Sequence, residues 1–281
     1  MNANELGLGA PSLPGYLLYP GAILTGIIVL VVMVRMRDRA AAFVIGASWL
    51  RYVMSAFHAV TYRPFVAGMS MNAAASIGIF LVGLMCINWR HLALKLLVPF
   101  YIVIAIALAS ALANGQIGPG LVTVVTKYGY LIVIMLAVYS AMKRSKDGSF
   151  MTSLLWSFAP LLLFQALSIV FGISKSTETA AGSVSFIGGY NHEAAFSVTL
   201  ATCLTVACFA QRISRPLQTG IILACVVGIV MANYRTVLVA IAPILLMHFA
   251  SSSLLRFPFR DRPFVVSALI VVAGLALGLA G

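Results

Sequence analysis

The stretch from Tyr16 to Val34, YLLYPGAILTGIIVLVVMV, contains no charged residue and is followed at once by RMRDR, residues 35–39. An α-helix rises about 1.5 Å per residue, so about 20 apolar residues cross the roughly 30 Å hydrocarbon core of a bilayer. A run of that length closed by three arginines reads as a transmembrane helix whose basic end faces the cytoplasm. The first fifteen residues hold no Lys or Arg, whereas a cleavable signal peptide starts with a basic segment. The run is therefore an anchor, and Met1 is expected outside.

The same reading extends along the whole chain. Of its 281 residues 62% are hydrophobic and 9% charged, and the mean hydropathy is +1.06, well above soluble domains. Lipid is the expected solvent. The formal charge of +12 does not point to a nucleic-acid partner, because the cations sit in short loops between apolar runs instead of clustering in one basic segment. Ten segments follow: Tyr16–Val34, Ala41–Val60, Met71–Ile87, Leu96–Ala113, Leu121–Met142, Phe150–Gly172, His192–Ala210, Leu217–Ala232, Thr236–Ala250 and Phe264–Ala280. The fold class is thus all-α, a polytopic transmembrane bundle of about ten helices in a single domain over residues 1–281.

Threading these segments alternately puts 13 of the 18 cations on one side and leaves Arg51, Arg63, Lys127, Lys175 and Arg235 elsewhere. The positive-inside bias makes the richer side cytoplasmic. Residues 217–250 taken as one long helix would put the basic loops around Arg212 and Arg260 on opposite faces. Two short helices turning at Asn233-Tyr234-Arg235-Thr236 agree better with the bias. The longest polar stretch, Ser174–Glu193, then lies outside. Cys86, Cys203, Cys208 and Cys225 all fall in apolar runs without C-x-x-C spacing and read as packing residues. The Gly274/Gly278 pair reads as helix packing.

Function has to be sought in the few polar residues the helices carry. Arg51 sits about ten residues, or about 15 Å, from either end of its segment, too deep for easy snorkelling. Ser48, Arg51, Ser55, His58 and Tyr62 are spaced three, four, three and four apart, a single polar stripe on one helical face. An inter-helix hydrogen-bond network accounts for such a stripe, and so does a site, the default for an intramembrane cation. Lys127 lies six residues into its segment beside Tyr128 and Tyr130; it either snorkels or lines the same site. Tyr190, Asn191, His192 and Glu193 open the seventh segment, where unpaired N–H groups favour an anion. His192 and Glu193 serve there as caps and interface anchors or as proton-transfer groups. Phe196 occupies the place of the second His of H-E-x-x-H, which removes a zinc protease. Arg235 is an arginine at an outer turn, against the charge bias, with a planar fork matched to phosphate. Arg51, Lys127 and Arg235, with His58, Tyr128, Tyr190, His192 and Glu193, are expected to form an outward-facing electropositive cavity suited to a lipid-linked diphosphate.

The run GGYNHEAAFS, residues 188–197, followed by two apolar passes and Asn233-Tyr234-Arg235-Thr236, resembles the bacterial O-antigen ligase and polysaccharide polymerase superfamily over about residues 174–249. Tyr234 stands where that family usually has Ser, and Ala195 where Asn is common. The resemblance implies an inverting, metal-independent glycosyltransferase without cofactor in the bacterial inner membrane, with its N-terminus periplasmic. The donor would be an undecaprenyl-diphosphate-linked glycan and the acceptor a glycan or lipid A-core. In that reading Arg235 and Arg51 hold the diphosphate, with Lys127, His58, Tyr190 and Tyr234 beside them, and His192, Glu193 or His58 is the base. The family also carries a large periplasmic loop with His and Arg after a helix matching Phe264–Ala280. The chain is accordingly expected to continue beyond Gly281 with such a loop and further helices.

Two other classes compete. A transporter or flippase for lipid-linked sugars also needs buried cations, but it predicts polar groups in both halves and often internal repeats. Here the intramembrane charges favour the outer half. A membrane scaffold leaves Arg51 without a role.

Overall fold

The computed structural model describes residues 13–66, 69–145, 148–176 and 184–251. They are mostly helical. The opening apolar run forms α1 (Gly15–Arg35), which ends on its own basic residue. After a two-residue connection Asp38 caps α2 (Arg39–Ala56), its carboxylate accepting the Ala40 N–H at 3.0 Å. A single turn, α3 (His58–Thr61), follows. Ser70 caps α4 (Met71–Cys86) in the same way, accepting the Ala73 N–H at 3.2 Å. Two 3-10 turns lead into α5 (Val98–Ala113), then come α6 (Ile117–Thr123), a π-turn over Val124–Gly129, and α7 (Tyr130–Arg144).

Pro160 is expected to kink its segment, and the break falls just before it. The segment divides into α8 (Ser149–Leu154), a 3-10 turn at Leu155–Phe158, and α9 (Ala159–Val170), with the proline in the first turn of α9. A proline lacks the N–H that would continue the preceding helix but is tolerated at a helix start. The chain then runs through α10 (Glu193–Phe209), α11 (Arg215–Met231) and α12 (Arg235–Ser251). Residues 217–250 do form two helices. Asn233 takes a left-handed conformation at φ 55°, which turns the chain between α11 and α12. The tenth segment, Phe264–Ala280, lies outside the described residues.

Two departures from an all-α reading occur in the loops after α3 and α9. β1 (Pro64–Val66) pairs antiparallel with β2 (Met69–Ser70), and β3 (Lys175–Ser176) pairs antiparallel with β4 (Val184–Ser185). Each is a short ladder that satisfies backbone groups where no helix can.

Four helical stretches are long and apolar enough to cross a membrane: Gly15–Arg35, Lys95–Ala113, Gly120–Arg144 and Ser149–Val170. Helices α4, α10, α11 and α12 are 16 or 17 residues long. The centre of the bundle is α2, which packs against α1, α4, α7 and α9, while α10, α11 and α12 form a second cluster joined through α8, α9 and the 3-10 turn. Trp49 on α2 donates to Thr25 Oγ1 on α1 at 3.1 Å. Ile45, Phe164, Leu161, Phe196, Leu200, Cys203, Cys225 and Ile229 are fully buried, and Cys86 and Cys208 pack partly buried against the core, as expected of all four cysteines. Helix α5 has no buried residue at all.

The helix ends rich in cations lie together. Arg144 at the end of α7 pairs with Asp38 at the start of α2 at 3.0 Å, and His91, after α4, lies 3.1 Å from Ser140 Oγ on α7. The Arg212 N–H, between α10 and α11, reaches Thr152 Oγ1 on α8 at 3.3 Å. Gln218 on α11 donates to the last carbonyls of α10, those of Ala207 and Ala210, at 2.7 and 3.2 Å. Alternating threading requires these ends to meet.

Candidate functional site

The site begins at a glycine pair. Gly188 and Gly189 have φ of 59° and 82°, a region L side chains rarely adopt. The loop lies flat on α9: a Cβ on Gly188 would stand 2.7 Å from the backbone nitrogen of Gln165. The Gly188 N–H donates to Ser168 Oγ at 3.3 Å, and Gln165 Nε2 donates both to Phe186 O at 2.9 Å and to Gly228 O at 2.8 Å. Gln165 and Ser168 are thus the anchor of this loop. Gln165→Leu is expected to lower stability by about 1–2 kcal/mol, since Phe186 O loses its donor in a part-buried place. Unfolding in detergent at the wild-type temperature would contradict that role.

Beyond the glycines the loop is clamped from α2. Tyr190 is buried, its hydroxyl donates to Tyr52 O at 2.7 Å, and its ring meets Phe196 edge-on at 4.9 Å. Burial raises the Tyr190 pKa well above that of an ordinary phenol, so the group stays a donor. His58 Nδ1 lies 2.7 Å from Gly189 O, and its Nε2 is buried without a partner among the described residues. The polar stripe is therefore not one helical face. α2 stops at Ala56, Thr61 Oγ1 folds back to donate to Met54 O at 2.9 Å, and His58 turns inward to the loop.

Arg51 stays on α2, half-buried. Its Nη1 donates to Asn72 Oδ1 and, at 3.2 Å, to Ser76 Oγ, both on α4; its guanidinium carbon lies 5.5 Å from the centroid of the Tyr130 ring on α7. Among the described residues the one ion pair is Arg144–Asp38, so no carboxylate balances Arg51. A guanidinium removed from water and given only neutral partners favours an anion beside it.

That neighbouring space exists. A cavity of about 240 Å³ is lined by Arg51, Ser55, Tyr62, Tyr130, Asn191 and His192, with Tyr52, Tyr190, Ala195 and Thr199 completing its wall. His192 is the N-cap residue of α10, exposed, with Nε2 3.1 Å from Asn191 Nδ2. Lys175 Nζ holds the same loop by donating to Asn191 O at 2.9 Å. The cavity therefore places a cation, a helix N-terminus and an imidazole around one space, a set able to bind an anion and accept a proton.

Of the residues singled out in the sequence, the cavity joins Arg51, Ser55, Tyr62, Tyr130, Tyr190, Asn191 and His192. Lys127 is exposed on the π-turn and Tyr128 is half-buried there, and neither lines the cavity. Glu193 is buried and accepts from Ser185 Oγ at 3.1 Å, and His58 is spent on the loop. Tyr234 is half-buried against the core. Arg235 opens α12, and the direction of its side chain lies outside what the structure describes. Sequence reading missed Asn72, Ser76 and Tyr130 as partners of Arg51. Asn72 and Ser76 carry a usable signal, two polar residues four apart in an otherwise apolar helix.

Among the described residues no three His, Cys, Asp or Glu side chains gather to hold a metal ion. No family model, curated protein or solved structure matches the chain.

Proposed function

We propose that this protein is a membrane-embedded glycosyltransferase of the polysaccharide polymerase or O-antigen ligase type, taking an undecaprenyl-diphosphate-linked glycan as donor. The single observation that supports the reading most is the pairing, in one cavity, of an uncompensated half-buried Arg51 with His192 at the start of α10. In this proposal a bundle of about ten spans sits in the bacterial inner membrane with its N-terminus periplasmic, and the cavity opens on the periplasmic side.

The chemistry is an inverting displacement. The acceptor hydroxyl oxygen attacks the anomeric carbon, the carbon–oxygen bond to the diphosphate breaks, and the electron pair leaves with the diphosphate. Arg51 stabilises that growing charge, as preorganised donors do in a site shielded from water. His192 takes the hydroxyl proton at the nitrogen that otherwise accepts from Asn191. Glu193, bound to Ser185, is left to hold the helix start. Arg235 is proposed as a second contact to the diphosphate, because it opens α12.

The test has two parts. Purified protein given donor and acceptor should release undecaprenyl diphosphate; none released at any acceptor tried would remove the reaction. Independently, single cysteines in a background lacking the four native ones should react with an impermeant reagent in intact cells at position 63 but at position 143 only after permeabilisation. The reverse pattern would overturn the orientation while leaving the chemistry open.

A further inference from the structure

At the opposite end of the bundle two cavities meet at Arg144. One, of about 440 Å³, is walled by Arg35, Arg37, Arg144, Ser149, Ser153 and Trp156 among others. The second, of about 460 Å³, is lined by Asn88, His91, Ser140, Lys143 and Arg144. Four cations here face one carboxylate, Asp38, whose Oδ1 is engaged and whose Oδ2 is buried without a hydrogen-bond partner among the described residues. Its Oδ1 accepts the Ala40 N–H and Arg144 Nη1, both at 3.0 Å. The Arg144 side chain is nevertheless 57% exposed, and Arg35, Arg37 and Lys143 are exposed as well.

Guanidinium groups beside serine hydroxyls are a donor set for phosphate oxygens. The first cavity also has an apolar lip, since Val32 and the partly exposed Trp156 line it and Val31 and Val34 of α1 are open beside it. A soluble anion has no use for that lip, whereas an acyl chain does. Trp and Arg at one level are the usual furniture of a membrane interface.

We infer that this twin basin binds the head group of an anionic glycerophospholipid of the cytoplasmic leaflet. Two cavities sharing Arg144 suit a head with two phosphodiesters, as in cardiolipin, better than a head with one. The site shares no residue with the Arg51 cavity and is independent of the reaction proposed there. It does rest on the chain lying in a membrane with its basic end at the cytoplasmic surface.

The experiment is native mass spectrometry of the detergent-purified full chain given equimolar cardiolipin, phosphatidylglycerol and phosphatidylcholine. Cardiolipin should be retained over phosphatidylcholine about tenfold, and Arg144→Gln should remove most of that preference, the loss expected when one charge-assisted pair goes. Because that variant also breaks the Asp38 pair, Arg37→Gln provides a second reading; Arg37 forms no ion pair among the described residues. Equal retention of phosphatidylcholine would overturn the site. So would inorganic phosphate binding in the basin with no lipid retained, since the ligand would then be a soluble anion.

Discussion

Gly188→Ala is expected to cost the protein about 2–5 kcal/mol, combining the penalty for a side chain at left-handed φ with that of an overpacked contact. The added methyl would stand 2.7 Å from the backbone of α9, and a helix backbone cannot rotate aside as a side chain can. Two glycines separate the contributions. Gly172 also has a positive φ, 64°, but a Cβ there meets nothing within 4 Å, so Gly172→Ala should show only the conformational part, about 1–2 kcal/mol. Gly220, inside α11, also has open space, and Gly220→Ala should stabilise by about 0.5–1 kcal/mol through helix propensity. Thermal unfolding midpoints in one detergent check the order. If Gly188→Ala and Gly172→Ala melt together, the close approach of the loop to α9 plays no part in stability.

Arg51→Lys should lower the rate of donor consumption about 100- to 1,000-fold, the usual cost of removing one preorganised donor from developing charge. Lysine keeps the charge but cannot hold Asn72 and Ser76 while presenting a second edge to a phosphate. Arg51→Gln should lose as much, and both variants should insert and fold, since among the described residues no buried carboxylate is left unpaired by the change. Asn72→Ala tests orientation alone and should cost about tenfold, consistent with one lost hydrogen bond to a charged group. Rates are compared at equal folded amounts, judged by size-exclusion profile. Wild-type turnover in Arg51→Lys and Arg51→Gln together would remove Arg51 from the chemistry.

Much of the architecture was legible because apolar runs and basic loops follow from the cost of placing charge and bare backbone in lipid. The breaks inside those runs were legible only where a residue type forces them, as Pro160 does. Nothing in Ala56-Phe57-His58 announces the end of α2. It ends because His58 finds Gly189 O, 131 positions away, and Thr61 finds Met54 O, and pairings across that distance do not show in local pattern. The same limit applies to the site. Arg51 stood out as a cation deep in an apolar segment, but its partners lie on two other helices. Lys127 is exposed on the π-turn at residues 124–129, where the extra backbone per turn shifts which side chains face inward. Tyr130, three residues on, meets Arg51 instead.

The loop clamp has a consequence for descent. A chain that had lost every substrate would still have to keep Gly188 and Gly189, or give up the seat of this loop on α9. It would keep an aromatic hydroxyl at position 190 for the Tyr52 carbonyl as well. Folding alone is therefore a sufficient reason to keep Gly188, Gly189 and Tyr190. Two distant proteins that share it share a way of fastening a loop to a helix, while the cavity next door is free to change its occupant one side chain at a time.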